Sequence, residues 1–181
     1  KLREQAKIKL NELIELSDWL SNNFLNLISF IERQVMLKLR LEFSNLFKSW
    51  FSIIGGESFE VQLDENFTPV IIQNGIEMDY SFLSGGERTA IALAYRLALN
   101  QTINSIYSTI KTKDLIILDE PTEGFSEAQI DKMREVFEQL NVGQLIIVSH
   151  EQKIESFVNN IIRIKKEGDS SIVEVAEDIK I

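Results

Sequence analysis

The chain has 181 residues, 44% of them hydrophobic and 26% charged, which is ample material for a core and unlike a disordered or collagenous chain. Its formal net charge of −9 excludes a surface that coats DNA generally, because duplex binding is driven by phosphate neutralisation through Lys and Arg. The absence of cysteine excludes disulfides and thiolate metal sites and suits a reducing compartment. No apolar run reaches the length of a bilayer-spanning helix, and the opening KLREQAKIKL lacks the apolar core of a signal peptide, so a soluble protein of one compact domain plus an appendage is expected. A first residue of Lys1 in place of Met gives the expectation of a fragment or processed product.

Residues 2–51 contain neither proline nor glycine and are rich in helix formers, which predicts one long helix, or two divided near Ser21-Asn22-Asn23. Leu13, Leu20, Phe24, Leu27, Ile31 and Leu41 fall on a 3-4 spacing whose remaining slots are Ser17, Gln34 and Lys38, an imperfect coiled-coil seam. Phe24, Leu25, Ile28, Phe30 and Val35 widen the apolar surface beyond such a seam, so packing on the protein's own core and binding of a second partner are both open. Gly55-Gly56 ends the helix and divides the chain into residues 1–54 and 55–181. Basic residues are concentrated in the first 50 positions, with Lys111 and Lys113 further on; a solvated face accounts for most of them, and local DNA contact is the alternative.

Two short strands are expected at Phe59 to Leu63 and Val70 to Gln73, with a turn at Asn74-Gly75 and an extended or irregular lead-in from Met78 to Phe82. Leu83-Ser84-Gly85-Gly86-Glu87 follows, and Ala90, Leu93, Ala94, Leu97 and Ala98 then repeat at helical spacing, so a helix begins within SGGE in the manner of a capping box. The two glycines leave backbone N–H groups uncovered at the positive end of the helix dipole and the serine adds a donor, an arrangement suited to an anion such as a γ-phosphate. Alone, the motif reads in favour of a capped helix after a loop.

Asp114 to Phe125 reads DLIILDEPTEGF. Leu115 to Leu118 are too few for a buried helix and fit a strand buried on both faces of a parallel sheet, which sets Asp119 and Glu120 at its C-terminal edge. That edge is where open α/β sheets bind ligands, and a carboxylate there suits a hydrated magnesium ion beside a phosphate. Asp119 is the metal candidate and Glu120 the water-activating base. Glu127 to Leu140 is an amphipathic helix with Ile130, Met133, Val136, Phe137 and Leu140 on its core side. Gln144 to Val148 gives another strand, ending at Ser149 and His150, the only histidine, on the edge where the carboxylates stand. A short helix at Glu151 to Val158 and strands at Ile161 to Ile164 and Ile172 to Val175, around Gly168-Asp169, complete the chain.

LSGGE, LIILDEPT and IIVSH, in this order, resemble the signature motif, Walker B strand and switch histidine in the C-terminal half of an ABC-type ATPase head. The long helix before the signature resembles the returning arm of a coiled coil and turns the comparison toward SMC-like proteins. DEPT and the arginines of GGERTAIALAYRLA are similar to the double-strand-break-repair ATPases of the Rad-fifty family. The resemblance implies an α/β fold, one lobe of an ABC ATPase head behind a coiled-coil base at residues 1–54, and two heads joined around two ATP molecules with Mg2+. By the same resemblance Ser84, Gly85, Gly86 and Glu87 contact the nucleotide of the opposite head, Asp119 holds magnesium through water, Glu120 orients the attacking water and His150 meets the γ-phosphate. Arg88 and Arg96 match arginines that link nucleotide state to head rotation, although either also reads as a surface ion pair. A Mre-eleven-type nuclease at residues 1–54, DNA and a chromosome-associated location in the cytoplasm, nucleoid or nucleus are the implied surroundings.

Two departures qualify the comparison. No GxxxxGK[ST] occurs, so the phosphate loop has to come from an N-terminal half supplied separately. In the D-loop, Phe125-Ser126 places a serine where the family usually has an acid, with Glu123 or Glu127 as substitutes. An SMC-like DNA tether, in which hydrolysis is incidental, is the alternative reading, and a transporter ATPase subunit a weaker one.

Overall fold

The structure, a computed structural model, describes residues 1–56, 59–106, 114–140 and 142–175. Lys111 and Lys113 lie outside them. The chain forms two compact units, Lys1–Glu42 and Phe43–Ile181.

The first unit is helical. α1 (Leu2–Trp19) passes through a π-helical turn (Leu20–Phe24) into α2 (Leu25–Ile54), so the expected interruption falls at Ser21-Asn22-Asn23 as a widened turn within a continuous helix. Asn26 Nδ2 donates to Asn22 O at 2.6 Å, and the rings of Trp19 and Phe24 stack with centroids 6.4 Å apart. No residue of α1 is buried, and Trp19, Phe24 and Phe30 are all exposed.

The second unit takes its core from several elements. The end of α2 contributes Phe43, Phe47, Trp50, Phe51 and Ile54. A three-stranded antiparallel meander follows: β1 (Glu60–Leu63), β2 (Pro69–Gln73) and β3 (Ile76–Met78). Asn74 and Gly75 both have positive φ, 52° and 79°, as a tight hairpin with the strands' own twist requires. β3 was not expected, and it shares only Met78 with the stretch expected to be extended or irregular.

After a 3-10 turn at Tyr80–Phe82, α3 (Gly85–Ile106) buries Ala90, Ala94 and Ala98 on one side, small residues that let neighbouring elements approach closely. Tyr95 stands edge-on to Phe43 and Phe47 at 4.9 and 5.7 Å, and its hydroxyl donates to Phe67 O at 3.0 Å.

β4 (Leu115–Asp119), α4 (Glu127–Gln139) and β5 (Gln144–Val148) make a βαβ unit in which the strands pair in parallel, with Asp119 opposite Val148. Ile116 and Leu118 point into the core, and so do Met133 and Val136 of α4. The expectation that β4 is buried on both faces is overturned. Leu115, Ile117 and Asp119 are exposed, with Ile146 and Val148 beside them on β5. Burial therefore alternates along β4, in place of a strand that is apolar and covered throughout.

A hairpin of β6 (Ile162–Glu167) and β7 (Ser170–Val175) completes the unit. Among the described residues no helix is long and apolar enough to cross a membrane.

Candidate functional site

The parallel register brings the C-terminal ends of β4 and β5 side by side, and the chemistry collects there. Glu120 leaves β4 with its N–H donating to Val148 O at 2.8 Å and with φ of +44°. That left-handed backbone costs a non-glycine residue about 1–3 kcal/mol and persists where the surroundings over-determine it, commonly at functional positions. It turns the Glu120 side chain toward the end of β5, where His150 Nδ1 lies 2.9 Å from Glu120 Oε2. The Ser149 hydroxyl donates to the same oxygen at 3.4 Å and accepts from Glu151 N–H at 3.2 Å.

This pairing polarises both groups. The hydrogen bond from His150, aided by its charge, holds the Glu120 carboxyl below the ordinary range against a smaller opposing effect of burial. Reciprocally, the hydrogen bond to Glu120 and its charge raise the His150 imidazole, with smaller help from Glu151 and Glu123. His150 Nε2 is 4.0 Å from Glu151 Oε1, so the second ring nitrogen is available to a further acceptor.

Asp119 is exposed at the end of β4, beside the pair, and its carboxylate makes no hydrogen bond or ion pair among the described residues. No group of three His, Cys, Asp or Glu able to hold a metal occurs among them. One uncommitted carboxylate nevertheless fits Mg2+, which takes one or two protein carboxylates and completes its octahedron with water and phosphate oxygens. A cavity of about 610 Å³ runs alongside β4 and is lined by Asp119, Glu120 and Glu123 together with Thr89, Arg96 and Asn100 of α3. Arg96 therefore shares a cavity with the carboxylates. Arg88 is exposed one turn from the start of α3, and its carbonyl accepts from the Tyr80 hydroxyl at 3.3 Å.

The SGGE turn is a capping box. Ser84 N–H donates to Glu87 Oε2 at 2.7 Å, and Glu87 N–H donates to Ser84 Oγ at 3.3 Å. Ser84 thus bonds within its own turn and not to the Glu120 and His150 pair. A Cβ at Gly85 would meet nothing within 4 Å, whereas Gly86 is buried against Gly124, the turn residue before Phe125. Ser126 is the N-cap of α4 in a second capping box, with Gln129. Helix initiation accounts for the serine at that position.

No protein-family model matches the chain. Among curated proteins it is 37% identical over 118 residues to the DNA double-strand break repair Rad50 ATPase of Pyrococcus abyssi, a match covering 64% of this chain and 13% of that protein. With the DNA double-strand break repair Rad50 ATPase of Sulfolobus acidocaldarius it shares 40% identity over 111 residues, 59% of this chain and 12% of the relative. Among solved structures, the Smc head domain with a coiled coil and joint from Pyrococcus yayanosii superposes with a TM-score of 0.74 at 16% identity, covering 97% of this chain and 34% of that one. A structure from work on ATP-driven dimerization and DNA stimulated activation of SMC ATPases gives a TM-score of 0.64 at 16% identity, over 80% of this chain and 89% of that one. These matches support a C-terminal head segment similar to those of the Rad50 relatives, with the fold of SMC heads. The chain spans about an eighth of the length of these curated relatives, 13% and 12%.

Three residues of this segment join the site without having been singled out by sequence as site residues. Ser149 touches Glu120, Gly124 lies against Gly86, and Gln129 caps α4 beside Gly86. Gln129 had a readable signal, since Ser126 and Gln129 form the S-x-x-Q pattern of a capping box. Ser149 and Gly124 carry no signal until the register of β4 and β5 and the packing of α3 are known.

Proposed function

We propose that this segment is the carboxylate-bearing half of an ATP-hydrolysing head, completed by a separate segment that carries the phosphate-binding loop. The observation that carries the reading is the 2.9 Å contact between Glu120 and His150, at a strand edge that also presents an uncommitted Asp119. Positioned carboxylate, imidazole and metal-binding groups are what phosphoryl transfer to water requires, because positioning and charge stabilisation do most of its work. Asp119 would hold Mg2+ through water, and the ion would supply neutralisation of phosphate charge. Glu120, held ionised by His150, accepts a proton from and orients the attacking water. His150 keeps Nδ1 on Glu120 and presents Nε2–H to a phosphate oxygen.

The exposed face of β4 and β5 supports the need for a second segment, since Ile117, Ile146 and Val148 are apolar and uncovered. Ser84, Gly85, Gly86 and Glu87 serve the nucleotide of a second head, and Arg88 and Arg96 couple that contact to the carboxylates, Arg96 from within their cavity. In the whole protein this cycle would control a Mre-eleven-type nuclease docked on residues 1–54, acting on double-strand DNA ends inside the cell. The names of the Rad50 relatives and the exposed aromatics of the first unit support this reading. The SMC likeness supports a second reading, an ATP-gated DNA clamp in which opening and closing matters more than turnover.

The test is reconstitution. ATP turnover should be absent from this chain alone and appear when a segment bearing the phosphate loop is added. Turnover by this chain alone, or none from the mixture while it binds ATP, would refute the proposal.

A further inference from the structure

Two turns of this segment touch backbone to backbone. A Cβ on Gly86 would stand 2.6 Å from Gly124 O, and one on Gly124 would stand 3.4 Å from Gly86 N and 3.5 Å from the carbonyl carbon of Gly85. Gly86 has no room for a side chain without movement, and at Gly124, where a Cβ would make only ordinary contact, the φ of +76° is what disfavours one. The contact joins the signature turn to the turn that begins at Glu120.

That second turn is continuous from the carboxylate to α4. Glu123 N–H donates to Glu120 O at 3.3 Å, and Phe125 N–H donates to Thr122 O at 3.0 Å. Gln129 Oε1 then accepts from both the N–H and the hydroxyl of Ser126, each at 3.0 Å. The same oxygen would be 3.2 Å from a Cβ on Gly86. One amide oxygen therefore fastens the end of the carboxylate turn and abuts the second signature glycine. Its platform is fixed, because Ile130, Met133 and Val136 anchor α4 in the interior.

We propose that Gln129 is a positioning residue whose Oε1 holds the carboxylate turn against Gly86, so that the signature turn and Glu120 of one head move as a unit. The inference rests on the proposed function, in which Ser84 of a head serves the opposite nucleotide while Glu120 serves its own. A displacement of the signature turn by one nucleotide is then transmitted, through Gly86, Gly124 and Gln129, to the carboxylate acting on the other. This gives a mechanical route between two sites that Ser84 and Glu120, which do not bond to each other, otherwise lack.

The test uses the complete ATPase, phosphate loop included. Gln129→Ala and the shorter Gln129→Asn withdraw the oxygen from Gly86 and should each lower kcat about tenfold while the Kd for ATP stays within about twofold, the pattern of a lost transition-state contribution. Gln129→Glu keeps an acceptor in place, as the usual capping-box acid, and should hold kcat within about threefold of the wild type. A purely structural cap predicts instead a lower melting midpoint with kcat per folded molecule unchanged, and that result from both withdrawing variants would overturn the inference. So would a Gln129→Glu variant as impaired as Gln129→Ala. Glu120→Gln measured alongside separates the two levels. If it abolishes turnover while Gln129→Ala and Gln129→Asn do not change kcat, this inference alone fails; if Glu120→Gln itself retains turnover, the proposed function fails.

Discussion

Replacing Ile117 by Thr should leave the segment's own stability unchanged and weaken its union with the phosphate-loop segment. Ile117 is 62% exposed on the open face of the parallel sheet, directly opposite Ile146, which is 40% exposed. Substitution at so exposed a site ordinarily changes stability by no more than about 0.5 kcal/mol, and Thr keeps the branched Cβ that strands favour. Full burial of an isoleucine is worth about 1.5–3 kcal/mol, and covering the 62% now in water is worth about 1–2 kcal/mol of that. At about 1.4 kcal/mol per tenfold, the Kd for the complementing segment should rise about 5- to 30-fold. Fluorescence anisotropy of a labelled phosphate-loop segment titrated with this chain gives the affinity, and thermal melting of the chain alone gives the stability. Ile116, 8% exposed on the opposite face, is the control: Ile116→Thr leaves a cavity and buries a hydroxyl, and should cost the chain itself about 2–4 kcal/mol. Equal loss of stability from both substitutions, or unchanged affinity in Ile117→Thr, would refute the reasoning.

Three further outcomes are expected. Because His150 is the only histidine, its imidazole resonances report one titration, and their midpoint should lie above the ordinary 6.5 and fall back in Glu120→Gln. The raised His150 pKa contributes stability that is present below pH 6.5 and lost as pH rises through the folded value. The lowered Glu120 pKa contributes stability present above pH 4.5 and lost as pH falls through its folded value, so the pair is intact between the two folded values. An unshifted midpoint, indifferent to Glu120→Gln, would remove the pair. Thr122 is 1% exposed and its hydroxyl has no hydrogen-bonding partner among the described residues, so Thr122→Val should stabilise the chain by about 1 kcal/mol in a denaturant melt, and a loss of similar size would show a missed partner. Ser84→Arg should abolish ATP-dependent head dimerisation in sedimentation while costing the chain only its helix cap, about 0.5–2 kcal/mol in a melt; intact dimers would mean that Ser84 does not serve a second head.

Much of the fold was legible because its signals are local. The helix starting inside SGGE, the turn at Asn74-Gly75 and the alternation of β4, α4 and β5 each follow from residues close in sequence. The three-residue β3 was not, since Ile76–Met78 is too short to show a period. Residues Leu115 to Leu118 misled for a different reason: an apolar strand has the same composition whether its second face is covered by its own chain or by another. The periodic Phe43, Phe47, Trp50, Phe51 and Ile54 continue α2 without a break, so nothing local marks where exposed helix becomes core. At the site, Asp119, Glu120 and His150 were readable as residues at strand ends. What needed the structure was the register that sets Glu120 against His150, and the packing that sets Gly86 against Gly124.

The most direct measurement is single-turnover ATP hydrolysis by this chain joined to its phosphate-loop segment, wild type against Glu120→Gln. Loss of the water-orienting carboxylate should lower the rate by about 10²–10⁴-fold with ATP still bound. Equal rates in the two proteins would contradict the assignment of Glu120, and with it the claim that this segment carries the hydrolytic side of the nucleotide site.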